Sequence, residues 1–256
     1  MSRRSRNTFR ESGSSGGGGD SAGFVPAFDL LLSQEEDQVP VDGKLTLGGV
    51  EFDVENSAKD GNAGPVVVDG KLRFLPGSTN NLNMNTRTAP IVGCPLSSLV
   101  PGLEKGDLIR LWVESTVQTS ANYQWLTAGV ETASKIGLGS NDLALTCFKG
   151  FSGSSGQSNM KWYGSAERNG TLSPAGSFQV MEWQVGGGML CYSAPSYGGE
   201  LTLLAGNQPM AHVQRPDSTS WWSDSARLVL GAVATSISGA PVFDVTRIVV
   251  EQLARS

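Results

Sequence analysis

Apolar and polar side chains alternate along much of this chain with a period of two, and this pattern constrains the fold more than any other feature of the sequence. In the segment DLIRLWVESTVQ, residues 107–118, Ile109 and Leu111 fall on one side of an extended chain and Arg110 falls on the other. Helical periodicity is almost absent, apart from a short stretch at residues 94–99. About a dozen segments are strand candidates, which predicts an all-β, two-sheet antiparallel β-sandwich.

Glycine-containing segments mark where these strands turn. The phrase Val-Asp-Gly-Lys-Leu occurs twice, at residues 41–45 and 68–72. Asp-Gly supplies the positive φ angles that two-residue hairpin turns require, so we expect a tight turn in each copy. The Gly/Ser-rich tract at residues 150–159 has strand-like runs on both sides. We expect that tract to be a long exposed loop within one domain.

The composition limits the class of protein. A net charge of −5 disfavours nucleic acid as the main ligand, because nucleic-acid binding needs a basic stripe. Cys94, Cys147 and Cys191 are odd in number, so at least one thiol is unpaired, which indicates folding in a reducing compartment. The N-terminus lacks the apolar core of a secretory signal, and no run approaches the roughly 20 apolar residues of a membrane span. We expect a protein made in a host cytoplasm, without membrane contact.

The chemistry of the chain changes at Phe24. Residues 1–23 hold four arginines (Arg3, Arg4, Arg6 and Arg10), a run of glycines at residues 16–19, and Phe9 as the only large apolar side chain after Met1. Such a segment cannot bury enough apolar surface to fold alone. We therefore predict two parts, a flexible or assembly-ordered N-terminal arm at residues 1–23 and a β-sandwich domain at residues 24–256. The arginines are the predicted contacts of the arm with a partner protein.

Reaction motifs are scarce. His212 is the only histidine, the cysteines lack zinc-site spacing, and no phosphate-binding glycine motif is present. The sequence thus predicts no metal and no cofactor. The one candidate for catalysis is Glu51, Asp53 and Glu55, because alternation places all three carboxylates on one face of a strand and Phe52 on the other. The simpler interpretation is an acidic solvent-facing surface without chemistry.

The Glu-x-Asp-x-Glu spacing resembles the catalytic strand of glycoside hydrolases that have a concanavalin-like jelly roll. That resemblance implies Glu51 as nucleophile, Glu55 as acid/base, and Asp53 as the residue that tunes the pair. A retaining mechanism needs carboxyl groups about 5–5.5 Å apart. Residues four apart on a flat strand are about 13 Å apart at Cα, so this alternative requires strong local curvature.

Aromatic residues are concentrated in the second half of the chain. Trp221 and Trp222 are adjacent and are the predicted partner contacts of the body, because exposed aromatic rings are favoured at protein interfaces. The alternative is that one is a core residue and the other covers a sheet edge. Tyr192 and Tyr197 are candidate glycan contacts, since sugar rings stack on exposed aromatic faces.

The body as a whole resembles the concanavalin A-like jelly roll of lectins, glucanases and many bacteriophage virion proteins. The resemblance rests on an early strand at residues 69–74, a long central strand at 107–118, and a closing pair of strands at 226–233 and 242–250. It covers most of residues 28–253. The motifs are generic, so they imply a fold more than an activity.

The predicted function is that of a virion structural protein, and not an enzyme. We expect a capsid decoration protein, or a tail or fibre component, that docks on the major capsid protein or other virion subunits and forms homo-oligomers in the assembly. The alternative is a carbohydrate-active protein, either a binding module for a surface glycan or a hydrolase that uses Glu51 and Glu55.

Overall fold

The structure is a computed structural model that describes residues 23–55, 63–75, 90–118, 124–131, 144–152, 155–163, 167–169, 178–185, 189–203, 226–234 and 242–254. These residues form two antiparallel sheets, and the prediction of an all-β sandwich is confirmed. The arginines of the predicted arm, together with Trp221 and Trp222, lie outside the described residues.

Sheet I contains eight strands. They are β1 (Phe24–Leu31), β4 (Ala63–Val68), β5 (Lys71–Leu75), β7 (Leu108–Gln118), β12 (Phe178–Gln184), β13 (Met189–Ala194), β14 (Thr202–Leu203) and β16 (Val242–Leu253). Their spatial order is β14-β13-β12-β7-β16-β5-β4, and β1 also pairs with β16.

Sheet II also contains eight strands. They are β2 (Lys44–Leu47), β3 (Val50–Glu55), β6 (Ile91–Pro95), β8 (Gln124–Glu131), β9 (Ala144–Ser152), β10 (Ser155–Tyr163), β11 (Glu167–Asn169) and β15 (Arg227–Ala234). Their order is β11-β10-β9-β8-β15-β6-β3-β2. The helical elements are α1 (Leu96–Leu99) and a 3₁₀ turn (Leu32–Gln34), and none within the described ranges is long and apolar enough to cross a bilayer.

The core lies between the two sheets and is filled by the inward-facing residue of each alternating pair. Its fully buried aromatic side chains include Phe52 of β3, Phe74 of β5, Trp183 of β12 and Phe243 of β16. Burial of apolar side chains from both sheets is the main stabilising contribution to such a sandwich. Cys94 of β6 is a free thiol in this core, and burial raises its pKa, which keeps it protonated and unreactive.

Strand β16 holds sheet I together. One edge of β16 pairs with β7 along almost its whole length. Its other edge pairs with β5 near its start and with β1 from Arg247 to Leu253. The backbone N–H of Ala254 donates to the carbonyl oxygen of Gly23 at 2.8 Å, so the beginning and the end of the described body lie side by side.

Both predicted Asp-Gly turns are confirmed. Asp42 and Gly43 have φ angles of 51° and 73°, and Asp69 and Gly70 have φ angles of 52° and 68°. Positive φ at both central residues is the requirement of the type I′ hairpin turn, which matches the right-handed twist of the strands that it joins. The Asp69-Gly70 turn connects β4 to β5, whose residues Val68 and Lys71 pair directly across it.

The predicted loop at residues 150–159 is wrong. Residues 150–152 belong to β9 and residues 155–159 belong to β10, and the two strands pair without a register break from Ser152 and Ser155 to Ala144 and Tyr163. Serine and glycine are weak strand formers, but continuous pairing with a neighbouring strand overrides that local preference. This hairpin extends sheet II by two strands beyond β8.

One side of the sandwich is closed by residues 35–42, which we call the rim. The backbone of Gln38 pairs with Val67 of β4 in sheet I. The side-chain amide of Gln38 donates to the carbonyl oxygen of Thr46 at 2.9 Å and accepts from its N–H at 3.1 Å, so it also binds β2 in sheet II. Gln38 therefore ties the edge strands of both sheets together and covers part of the open edge of β2.

Candidate functional site

The acidic residues predicted from sequence lie on the outer face of β3. Phe52 is buried in the core, and Val54 packs against that core. Alternation therefore directs Glu51, Asp53 and Glu55 away from it, as the sequence pattern predicts.

Cations from neighbouring strands contact this acidic row. The Lys44 ammonium of β2 pairs with the Glu51 carboxylate and lies 3.7 Å from the Asp53 carboxylate. Arg227 of β15 also pairs with Asp53 and donates a hydrogen bond of 3.2 Å to the carbonyl oxygen of Gly93. The contact with Glu51 raises the pKa of Lys44, which holds the ammonium in its charged form. Glu51 and Asp53 are thus neutralised by direct ion pairs.

The strand that carries these carboxylates is regular. It pairs with β2 from Val50 to Asp53 and with β6 from Asp53 to Glu55, and neither register contains a bulge. Glu51 and Glu55 are therefore about 13 Å apart at Cα. A retaining pair needs its carboxyl groups about 5–5.5 Å apart, and the catalytic roles implied for this row remain a prediction.

A second cluster lies on the outer face of sheet I, and we call it the tyrosine face. It consists of Trp112, Phe178, Val180, Ala194 and Val249, with Tyr192, Tyr197 and Leu201 packed against them. The register places Tyr192, Val180, Trp112 and Val249 in one row across β13, β12, β7 and β16. The segment that follows β13 returns over this row and brings Tyr197 to within 5.3 Å of Trp112, measured between ring centroids.

Glu251 is the polar centre of the tyrosine face. Its carboxylate accepts hydrogen bonds from Trp112 Nε1 at 2.8 Å and from the Tyr197 hydroxyl at 2.7 Å. The residue is only 4% exposed. Arg110 lies 3.9 Å away and bonds at 2.7 Å to Glu182 on the neighbouring strand. A buried carboxylate is tolerated only when hydrogen bonds and a cation compensate for its lost hydration, and here both are present.

The two arginines of this face also contact aromatic rings. Arg110 lies 3.9 Å from the centre of the Phe24 ring, and Arg247 lies 4.3 Å from that of Tyr197. Arg247 forms a two-point salt bridge with Asp29 of β1, with hydrogen bonds of 3.0 and 2.7 Å. Each guanidinium is held in one orientation, since it joins a carboxylate to an aromatic surface.

The Tyr197 phenol remains neutral at physiological pH. Burial raises its pKa, and the hydrogen bond to the Glu251 carboxylate raises it further. A neutral phenol donates its proton to Glu251, so the ring is fixed at its hydroxyl end as well as by its contacts with Trp112 and Arg247.

The sequence identified part of this face. Tyr192 and Tyr197 were predicted as glycan contacts, and the structure brings them into one cluster as partly buried rings. Trp112 and Glu251 were missed as members of a site. The available signal was their position on the polar side of two strongly alternating strands, where a tryptophan and a carboxylate face away from the core. Among the described residues no group of three or more metal-ligating side chains is close enough to hold an ion.

Comparison of the sequence with protein-family models gives no match, and comparison with curated proteins gives none. Comparison of the fold with solved structures gives many matches at low identity. One is a structure reported with endo-acting O-glycanases that human gut bacteria express to initiate mucin breakdown, with a TM-score of 0.55, 10% identity, and 90% of this chain and 100% of that chain covered.

Two further structures share the architecture. The catalytic domain of an endo-1,3-β-glucanase (laminarinase) from Thermotoga petrophila has a TM-score of 0.51 and 7% identity, with 91% of this chain and 99% of that chain covered. The GH43 protein BlXynB from Bacillus licheniformis has a TM-score of 0.53 and 13% identity, with 91% of this chain covered. The present chain spans only 39% of that larger protein.

These comparisons correct one prediction. The expectation that the protein is not an enzyme is wrong, because the folds that it matches include the catalytic domain of a glucanase. A β-sandwich of this type therefore gives no ground for excluding catalysis. At this level of identity the matches establish the fold, a concanavalin-like two-sheet sandwich, as the resemblance of the strand pattern predicts.

Proposed function

We propose that the protein is carbohydrate-active and binds glycan at the tyrosine face. The observation that carries this proposal is the pair Tyr192 and Tyr197, two partly exposed rings that pack against the buried cluster around Trp112. Rings that are already immobilised lose little conformational entropy when a ligand stacks on them. The glycan-cleaving proteins that share the fold support the same class of ligand.

The surroundings of the two tyrosines fit a polyhydroxylated ligand. Sugars present apolar C–H faces and polar hydroxyl edges, and binding sites for small molecules combine aromatic walls with a few fixed polar groups. Glu182 and Arg247 lie at the margins of the tyrosine face and are partly exposed. They offer an acceptor and a donor in fixed positions next to the rings.

Removal of the Tyr192 ring is expected to weaken glycan binding. The substitution Tyr192→Ala removes a stacking surface while leaving the Tyr197–Glu251 hydrogen bond in place. We expect the association constant to fall about tenfold, since that corresponds to about 1.4 kcal/mol of lost contact. Titration calorimetry with a soluble β-1,3-glucan and with mucin O-glycans measures the change.

The matched control is Tyr192→Phe, which retains the ring and is expected to bind within about twofold of the unchanged protein. Lys105→Ala, an exposed change outside the tyrosine face, controls for general surface effects. Cleavage is tested on the same glycans by measuring the reducing ends that are released. If the Glu51→Gln variant releases none while the unchanged protein does, the cleavage is assigned to β3.

A correctly folded protein that binds no glycan on a broad array would refute the proposal.

A second candidate, a virion subunit of the capsid decoration type, is favoured by the position of the two ends of the described body. Gly23 and Ala254 are hydrogen-bonded at the end of the β1–β16 pair. The preceding residues 1–22 are thus attached at a fixed point on one side of sheet I. Next to that point Val25 is 55% exposed and Leu253 is 36% exposed. An exposed apolar surface beside a basic segment suits attachment to a larger assembly.

Charge reversal in the N-terminal segment tests this candidate. The full chain with Arg3, Arg4, Arg6 and Arg10 replaced by glutamate is expected to lose most of its co-sedimentation with capsid shells produced from genes adjacent to its own, because the basic contacts are removed. The control is Lys105→Glu, a reversal at an exposed site of the body. Undiminished sedimentation of the four-fold variant, or a gene neighbourhood without capsid, portal and terminase genes, would contradict the candidate.

A further inference from the structure

The rim displays two unusually exposed apolar side chains. Val39 is 66% exposed and Val41 is 68% exposed, more than any other large hydrophobic residue in the described part of the chain. Pro40 lies between them and restricts the backbone. Isolated exposed valines are ordinary on protein surfaces, but a pair presented on a fixed segment forms a small contact surface.

Hydrogen bonds on both sides hold the rim in one conformation. Gln38 is bound to Val67 through its backbone and to Thr46 through its side chain. The Asp37 carboxylate accepts from the Asp69 N–H at 3.0 Å, and Val41 pairs with Lys44 through backbone bonds of 3.0 Å. A surface fixed in this way before binding avoids most of the ordering cost of forming a complex.

The rim is strongly acidic. Residues 35–42 include four acidic side chains and no lysine or arginine. Across the described residues, no cation lies within ion-pair distance of these four carboxylates. The nearby cations contact other acids, since Lys44 pairs with carboxylates of β3, and Lys71 and Arg73 pair with Asp244. The rim therefore offers apolar surface together with uncompensated negative charge.

The N-terminal segment of the same chain has a charge opposite to that of the rim. Residues 1–23 contain four arginines and two acidic residues, which gives this segment a formal charge of +2. Since the whole chain has a net charge of −5, the remaining residues have a net charge of −7. All four arginines fall within the first ten residues, and Phe9, the only large apolar residue after Met1, is among them. The 22 residues that precede Gly23 can span at most about 75 Å, which is enough to reach a neighbouring molecule.

We infer that the rim is the docking surface for residues 1–10 of a second copy of this chain. Phe9 of one copy contacts Val39 and Val41 of the other, and the arginines contact the four rim carboxylates. Exchange of the two segments gives a reciprocal contact in which each copy supplies one segment and one rim. The inference does not depend on glycan binding, because the rim and the tyrosine face contain different residues.

Self-association of the full chain tests the inference. We expect the mass measured by sedimentation equilibrium to rise with protein concentration and to fall with added salt, because salt screens exposed charges. The arm variant Arg4→Glu/Arg6→Glu and the rim variant Glu36→Lys/Asp42→Lys are each expected to weaken association at least about tenfold. An equimolar mixture of the two variants is expected to associate, since the arm of one still fits the rim of the other.

Apolar and charge contributions are separated by matched variants. Val39→Ser/Val41→Ser is expected to weaken association while leaving its salt dependence in place. Val25→Ser, at another exposed valine, and Glu200→Lys, at an exposed acid outside the rim, are expected to leave association unchanged. Glycan titration of the same variants is expected to be unaffected, so a failure of this inference and a failure of the glycan proposal give different results.

Three outcomes would overturn the inference. The first is a chain that stays monomeric at every concentration tested. The second is self-association that neither the arm variant nor the rim variant weakens. The third is a mixture of the two variants that associates no better than either alone, which would show that the segment and the rim do not recognise each other across molecules.

Discussion

Replacement of Glu251 by alanine is expected to lower the free energy of unfolding by about 4 kcal/mol, because it removes a buried carboxylate that accepts two hydrogen bonds and lies within ion-pair distance of Arg110. Trp112 Nε1 and the Tyr197 hydroxyl both donate to this carboxylate, and Arg110 lies 3.9 Å from it. Without it the indole N–H is left buried and unpaired. The described hydrogen bond of Tyr197 to β16 is the one to Glu251, and the substitution removes it.

Two further variants are compared with Glu251→Ala. Glu251→Gln retains the volume but offers one acceptor oxygen for two donors, so we expect a loss of about 2 kcal/mol. Glu200→Ala, at an exposed carboxylate, is expected to change stability by less than about 0.5 kcal/mol. Urea denaturation followed by tryptophan fluorescence gives all three values. Equal stability of Glu251→Ala and Glu200→Ala would show that the network around Glu251 does not stabilise the fold.

The fold could be predicted from the sequence because burial on alternate residues is a local signal. In β7 the positions of Ile109, Leu111 and Val113 identify the core face, and the structure buries all three between the sheets. The Asp-Gly turns carry a similarly local requirement for positive φ. The described residues 150–152 and 155–159 lack both signals, since their serines and glycines become strand residues only through pairing with neighbours.

The candidate sites depend on register, which residue patterns do not specify. Trp112 and Glu251 are 139 positions apart in the chain and meet because β7 and β16 pair with Arg110 opposite Glu251. The role of Gln38 likewise cannot be predicted from the sequence. Its backbone pairs with sheet I, whereas its side-chain amide bonds to the backbone of β2 in sheet II. Tyr192 and Tyr197 could be proposed in advance only because tyrosine itself indicates a contact surface.

The second large effect is expected at Gly93, where sheet II requires a residue without a side chain. A Cβ atom at this position would lie 2.6 Å from the carbonyl oxygen of Leu228 and 3.1 Å from Val229 Cγ1. The first of these contacts is with backbone, so β6 or β15 must shift to relieve it. We expect Gly93→Ala to lower the free energy of unfolding by about 3 kcal/mol. The shift would also disturb Arg227, which donates to the Gly93 carbonyl oxygen.

Gly49→Ala provides the comparison that separates steric overlap from backbone conformation. Gly49 has a φ of +77° and no atom within 4 Å of the position of an added Cβ. Its replacement therefore adds only the conformational cost of a left-handed alanine, about 1 kcal/mol. The two variants make the same chemical change, and their denaturation midpoints are compared at equal m-values. If Gly93→Ala is no less stable than Gly49→Ala, then β6 and β15 are not in close contact at this point, and the pairing that positions Arg227 beside Asp53 is looser than the geometry indicates.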